Sequence, residues 1–227
     1  GRLIMHPLKQ GLMDGLTVLG LELTDARADQ LLAYLDLIGK WTKVYNLTAV
    51  RDPKEMLTHH LLDSLAVIAP LLQQTDSLVQ GRAVRLLDVG SGAGLPGVVI
   101  AICCPEVHVT CVDTVAKKAA FVQQCAAQLK LPNLVGVHAR VESLGGPFDV
   151  ISSRAFAALR DFVNWSVGAL AEDGVWLAMK GKHPSEEIAA LPPMAQVFHV
   201  EQLVVPGLQA ERCIIWLKRS GVATAQQ

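Results

Sequence analysis

Leu86-Leu-Asp-Val-Gly-Ser-Gly-Ala-Gly-Leu-Pro-Gly97 decides the fold. An apolar run ends at Asp88, and glycines follow at positions 90, 92 and 94, where the backbone can turn tightly and approach a ligand without Cβ interference. A helix then begins near Pro96, so unpaired helix N–H groups point into a cavity at the carboxyl edge of a sheet. A dinucleotide-binding loop would place its third glycine at position 95, where this chain has Leu95. The spacing leans away from NAD.

Outward from this loop, β-branched runs alternate with helix-length stretches, as in a parallel sheet with crossover helices. Strands are expected over Val84–Val89, Val107–Asp113, Leu134–His138, Phe148–Ser152 and Val175–Lys180. Helices are expected over Gly97–Cys103, Ala116–Leu129, Leu159–Leu170 and Ser185–Leu191. The tail changes rhythm, with Val197–Val205 and Arg212–Lys218 reading as a hairpin-like antiparallel pair. Upstream, Thr24 caps a helix carrying Leu31, Leu32, Leu35, Ile38 and Trp41, and Asp52-Pro53-Lys54-Glu55 opens a second with Met56, Leu57, Leu61, Leu65 and Ile68 on its apolar face. Five βα repeats closed by an antiparallel pair predict an α/β, Rossmann-like sheet of seven strands, mostly parallel with an antiparallel end, a pattern that resembles by analogy the class I S-adenosyl-L-methionine-dependent methyltransferase fold. Residues 1–75 are expected to form an N-terminal helical cap and 76–227 the cofactor-binding domain, with the boundary between 70 and 82.

Composition narrows the setting. The longest apolar run, Val98 to Cys104, is seven residues, well short of the roughly 20 that span a bilayer, so no membrane segment is expected. Five cysteines with no C-x-x-C pair suit a reducing cytoplasm, and no export signal is legible. A net charge of −1 leaves any nucleic-acid surface to a local patch. Residues 1–4, ahead of Met5, are set aside, and a monomer is the default expectation.

The candidate site residues follow from strand ends. S-adenosyl-L-methionine brings a cationic sulfonium where NAD brings a pyrophosphate, and Asp88 beside the loop suits the cation. Asp113 closes the second strand, 23 residues beyond Gly90, where a carboxylate can accept both ribose hydroxyls or instead cap the next helix. Val141 and Glu142 fall on the next wall of the same cleft, as an adenine contact and its border, or as an ordinary solvated loop. After the fourth strand stands Ser153-Arg154-Ala155-Phe156, with neither an N/D-P-P-Y/F segment nor a nucleophilic cysteine. That points to an acceptor whose lone pair is free at neutral pH, such as guanine N7, with catalysis by alignment and desolvation and no covalent intermediate. Arg154 is the candidate positioning group, or a surface ion pair. Lys180 and Lys182 on the same edge, and Lys43 and Arg51 near Trp41 and Tyr45, are candidate RNA contacts or solvated faces. His59-His60 with Asp63 lacks further ligands at fitting spacing, and no metal is expected.

Trp41-Thr-Lys-Val-Tyr-Asn-Leu-Thr-Ala-Val50, His60-Leu-Leu-Asp-Ser-Leu65, the Leu-Pro-Gly ending of the glycine loop, Ser153-Arg-Ala-Phe156 and Met179-Lys-Gly181 together resemble the bacterial 16S rRNA guanine-N7 methyltransferases, also known as glucose-inhibited division protein B. The resemblance covers nearly the whole chain. It implies methyl transfer from S-adenosyl-L-methionine to N7 of a guanine in the decoding-region loop, on 16S rRNA or the small ribosomal subunit. It also implies cofactor contacts at Gly90, Leu95, Val141, Glu142 and Arg154. A non-catalytic nucleotide- or RNA-binding module that kept the fold, and a small-molecule methyltransferase with an apolar, closing cap, are the competing readings.

Overall fold

The structure is a computed structural model and describes residues 4–154 and 156–221. Ala155, inside the segment expected to face the acceptor, lies outside the described residues, as do residues 1–3. Seven strands form one sheet in the order β3-β2-β1-β4-β5-β7-β6. They are β1 Arg85–Val89, β2 His108–Asp113, β3 Leu134–His138, β4 Phe148–Ser153, β5 Leu170–Lys180, β6 Ala195–Leu203 and β7 Arg212–Arg219. The first five run parallel, and β7 runs antiparallel to both β5 and β6. The expected strands and the antiparallel end are all present. Strand order reverses between β1 and β4, so a crevice opens beyond their carboxyl ends.

Nine α-helical segments occur among the described residues: α1 Lys9–Leu19, α2 Asp25–Tyr45, α3 Pro53–Met56, α4 Asp63–Leu65, α5 Ile68–Leu78, α6 Gly97–Cys103, α7 Ala116–Gln128, α8 Leu159–Ser166 and α9 Ser185–Ala189. The caps read from the sequence are in place. Thr24 accepts the Arg27 N–H at 3.2 Å, and Asp52 accepts that of Lys54 at 3.2 Å, with Pro53 in the first turn. Three local features differ from expectation. Helix α1 precedes the two upstream helices that the sequence announced. Between α3 and α4 the chain passes through a π-helical turn, Leu57–Leu62. The helix expected to run to Leu170 stops at Ser166, because Leu170 pairs with Phe148 as the first residue of β5. The Arg219 guanidinium fixes that turn by donating to the carbonyls of Val167 at 3.0 Å and Leu170 at 2.7 Å.

Strand residues alternate between two hydrophobic clusters, one on each face of the sheet. On β7, Ile214 and Trp216 face one side, and Cys213, Ile215 and Leu217 the other. Helices α1 to α7 supply the first cluster, where Leu12, Leu31, Leu61 and Ile100 join Leu86 and Val150. Phe162 and Val163 of α8 pack on the second. All five cysteines are free thiols. No helix among the described residues is long and apolar enough to cross a membrane.

Candidate active site

The glycine loop leaves β1 with Gly90, Gly92 and Gly94 all at positive φ (+62°, +58° and +94°), a backbone region closed to most side chains. A Cβ at Gly90 would also stand 2.4 Å from the Phe156 ring. Three buried side chains hold the loop. Tyr34, on α2, donates its hydroxyl to the Ala93 carbonyl at 2.6 Å. Asp88 accepts the Gly97 N–H at 2.8 Å and the Ser152 hydroxyl at 2.8 Å. Asp113 accepts the Gly92 N–H at 3.0 Å on one oxygen and the Val115 N–H at 2.8 Å on the other.

These contacts change the reading of Asp88. It is fully buried with both oxygens engaged, and burial pushes its pKa up to about 7 despite those two donors. It joins loop, helix and β4 rather than presenting charge to a ligand. Asp113 is both a loop clamp and a wall of the crevice. Each of its oxygens takes one backbone donor, and a carboxylate offers about four acceptor sites, so two remain for a ligand.

The crevice at the strand ends is a cleft of about 740 Å³. Gly90 stands at its β1 edge and Asp113 at the end of β2, while Val141 and Glu142 close the side beyond β3. Phe156 and Trp165 form the fourth wall, packed edge to face with ring centroids 5.6 Å apart. Four of the six residues expected to hold the cofactor, Gly90, Asp113, Val141 and Glu142, therefore share one cavity. Leu95 is buried in the hydrophobic cluster behind the loop and does not line the cleft. The mixture of a glycine cradle, one apolar wall, an aromatic pair and two carboxylates, Asp113 and Glu142, balanced by Lys118 and Arg140, fits a nucleoside that carries both positive and negative groups.

Arg154 lines a second hollow, of about 460 Å³, with Lys180, Gly181, Glu187 and Arg212. Phe156 belongs to both cavities. The Arg154 guanidinium donates to the His59 carbonyl at 2.6 Å and stands 3.4 Å from Asp63. Asp63 also accepts Nε of Arg212 at 2.7 Å and Nη2 at 3.0 Å. Two arginines on one buried carboxylate leave excess positive charge at the hollow. Lys180 donates to the Ala157 carbonyl and to Glu187, each at 3.0 Å. Lys182, Lys43 and Arg51 are exposed, and the last two sit on a separate groove beside α2.

Sequence reasoning missed Tyr34, Trp165, Asp63 as an arginine hub, and Arg212. Tyr34 does fall on the buried stripe of α2. Arg212 carried no local signal, because its partner lies 149 residues away.

The family model for rRNA small subunit methyltransferase G matches residues 27–215. The ribosomal RNA small subunit methyltransferase G of Polaromonas sp. (strain JS666 / ATCC BAA-500) is 67% identical over 215 residues, covering 95% of each chain. Among solved structures, TrmN from Thermus thermophilus superposes with a TM-score of 0.53 at 18% identity, over 72% of this chain and 53% of that one. A SAM dependent methyltransferase from Aquifex aeolicus gives 0.50 at 14% identity, over 73% and 97%. At such identity these two structures share a fold with the chain.

Proposed function

The chain belongs to the rRNA small subunit methyltransferase G family, and from that premise we propose that it methylates N7 of a guanine in 16S rRNA. It is a methyltransferase whose methyl donor is S-adenosyl-L-methionine. When bound, this donor supplies an electrophilic methyl group on a cationic sulfonium.

The observation that carries the proposal is the partition at Phe156. On one side is the cleft of Gly90, Asp113, Val141 and Glu142; on the other is the hollow of Arg154, Lys180 and Arg212. Asp113 has acceptor capacity for ribose hydroxyls, Val141 offers a buried apolar face to a base, and Glu142 borders it. In the hollow, positive charge beside an aromatic edge suits a guanine nucleotide, whose O6 and N7 are acceptors and whose phosphate is anionic. Held by Gly90, Asp113, Val141 and Glu142, the donor would offer its methyl carbon to the N7 lone pair, with its sulfur leaving on the carbon–sulfur electron pair, so no proton need leave before the bond forms. Accordingly, neither cavity needs a general base. Side chains align the two ligands and exclude water.

Incubating the protein with methyl-labelled donor and 30S particles, naked rRNA or a panel of small molecules tests this reading. Label is expected on rRNA, at a guanine that becomes labile to depurination. Label on a small molecule with none on RNA would overturn it.

A further inference from the structure

We propose that the groove between residues 6–8 ahead of α1, helix α2, residues 50–52 and α3 binds a single-stranded stretch of the RNA substrate adjoining the methyl acceptor. The proposal rests on the rRNA reading above and adds a second, separate RNA site. The groove encloses about 900 Å³, somewhat more than the cleft of the candidate active site. Its floor is apolar, with Leu35, Val50 and Met56. Lys40, Lys43, Arg51 and Lys54 stand around it, against two acids, Asp36 and Asp52. Both acids have local tasks. Asp36 lies 3.0 Å from His6, and Asp52 caps α3. Lys40, Lys43 and Lys54 are exposed and have no side-chain partner among the described residues. Four cations gathered around an apolar concavity repel one another, a cost that a polyanion relieves.

The loop 46–52 is built to hold this shape. Asn46 ends α2 at φ +55° and accepts the Arg51 guanidinium at 2.7 Å. Thr48 shares a hydrogen bond of 3.1 Å with buried His60 and accepts the Val50 N–H at 3.2 Å. Val50 and Arg51 are thereby fixed, one toward the floor and one on the rim. Each end of the loop is linked by a contact to an element that carries residues of the candidate active site. Beside Asn46, the Tyr45 ring lies under the Lys117 ammonium at 4.9 Å, and Lys117 is in the first turn of α7, just beyond Asp113. In the other direction, α3 leads into the turn whose His59 carbonyl holds Arg154. An RNA strand with its target base in the hollow and its backbone along this strip would meet Arg51 and Lys54 next. Unpaired bases have apolar faces for the floor, whereas a duplex hides them.

Fluorescence anisotropy with a labelled single-stranded RNA tests the site, using the full chain, Lys43→Glu/Lys54→Glu, Lys43→Gln/Lys54→Gln, and Lys130→Glu beyond the far end of α7 as control. The Glu pair is expected to weaken RNA binding at least tenfold at low salt and the Gln pair less. Both should lower the slope of log affinity against log salt by roughly 1–2. Calorimetric affinity for S-adenosyl-L-methionine and the melting temperature should match wild type, as should RNA binding by Lys130→Glu. RNA affinity and slope unchanged in both pairs would overturn the proposal. So would an acidic peptide competing with RNA in wild type but not in the Glu pair. A wild-type protein that binds RNA through the groove yet methylates none would sink the functional reading and leave the groove standing.

Discussion

Arg154 is tethered to His59 rather than left free: its Nη1 donates to the His59 carbonyl at 2.6 Å, which fastens the segment after β4 to the π-helical turn. Such turns recur at functional sites because they offer backbone groups that a regular helix would consume. Asp63, one turn on, holds Arg154 and Arg212 together.

Asp63→Asn removes the charge that both arginines share. Breaking a buried ionic network costs about 3 kcal/mol of stability, which denaturant unfolding reads. Methyl transfer to RNA is expected to fall tenfold or more, with calorimetric affinity for S-adenosyl-L-methionine within about twofold of wild type. A parallel loss of cofactor affinity would place Arg154 in the cleft instead.

Asp113→Ala should weaken cofactor binding by roughly 1.5–3 kcal/mol, the loss of a charged acceptor. Because the same carboxylate clamps Gly92 and Val115, the melting temperature should drop as well. Asp113→Asn keeps one acceptor oxygen for the loop, and should recover more stability than affinity. Unchanged affinity in both variants would make the residue a loop clamp alone.

Two glycines in the loop should respond differently to alanine. At Gly97 a Cβ would meet the Cys111 sulfur at 2.4 Å and an Asp88 oxygen at 2.8 Å, within a packed core. At Gly92 nothing lies within 4 Å, and only φ +58° opposes the change. Gly97→Ala should cost about 3 kcal/mol and Gly92→Ala about 1 kcal/mol in chemical denaturation. Equal costs would show that space at Gly97 is not limiting.

His60 gives a pH signature. Burial, and then the charge of Arg154, lower its pKa to about 4, against an ordinary value of 6.5. Between those values the unfolded chain takes up a proton that the folded one refuses, so stability is lost as pH falls from about 6.5 to about 4, by about 3 kcal/mol at most. Asp88 acts in the opposite sense. Its raised pKa lets the folded state hold a proton that the unfolded chain releases, which adds stability as pH falls through about 7. The contrast between wild type and His60→Gln isolates the histidine. The stability advantage of wild type over the variant should shrink as pH falls across that window in urea titrations, and a constant difference would show that folding leaves the His60 pKa unshifted.

The sheet and three walls of the cleft were legible because their signals are local: alternation within strands, a glycine loop after Asp88, and residues at strand ends, whereas the aromatic wall depends on α8 carrying Trp165 to Phe156. The Asp63–Arg212 pair was not, since 149 residues separate its members and only the closed sheet brings them together. Leu95 matched its family position but packs behind the loop, a distinction that spacing does not encode. Asp88 was misjudged for a similar reason. Sequence shows a carboxylate beside the glycines, while its direction depends on Ser152 arriving from β4.

β7 enters the sheet between β5 and β6, and its first residue, Arg212, reaches back to Asp63. During synthesis, the cofactor loop, β1 to β5 and the Arg154 segment all emerge before Arg212 exists. Until then β5 has an open edge and Asp63 lacks its bidentate partner. The cavity expected to take S-adenosyl-L-methionine can thus be built from earlier parts of the chain, whereas the arginine pair at the hollow proposed for the acceptor closes only when translation has passed residue 212. A nascent chain interrupted before that point would carry the elements of a donor cleft beside an unfinished acceptor side.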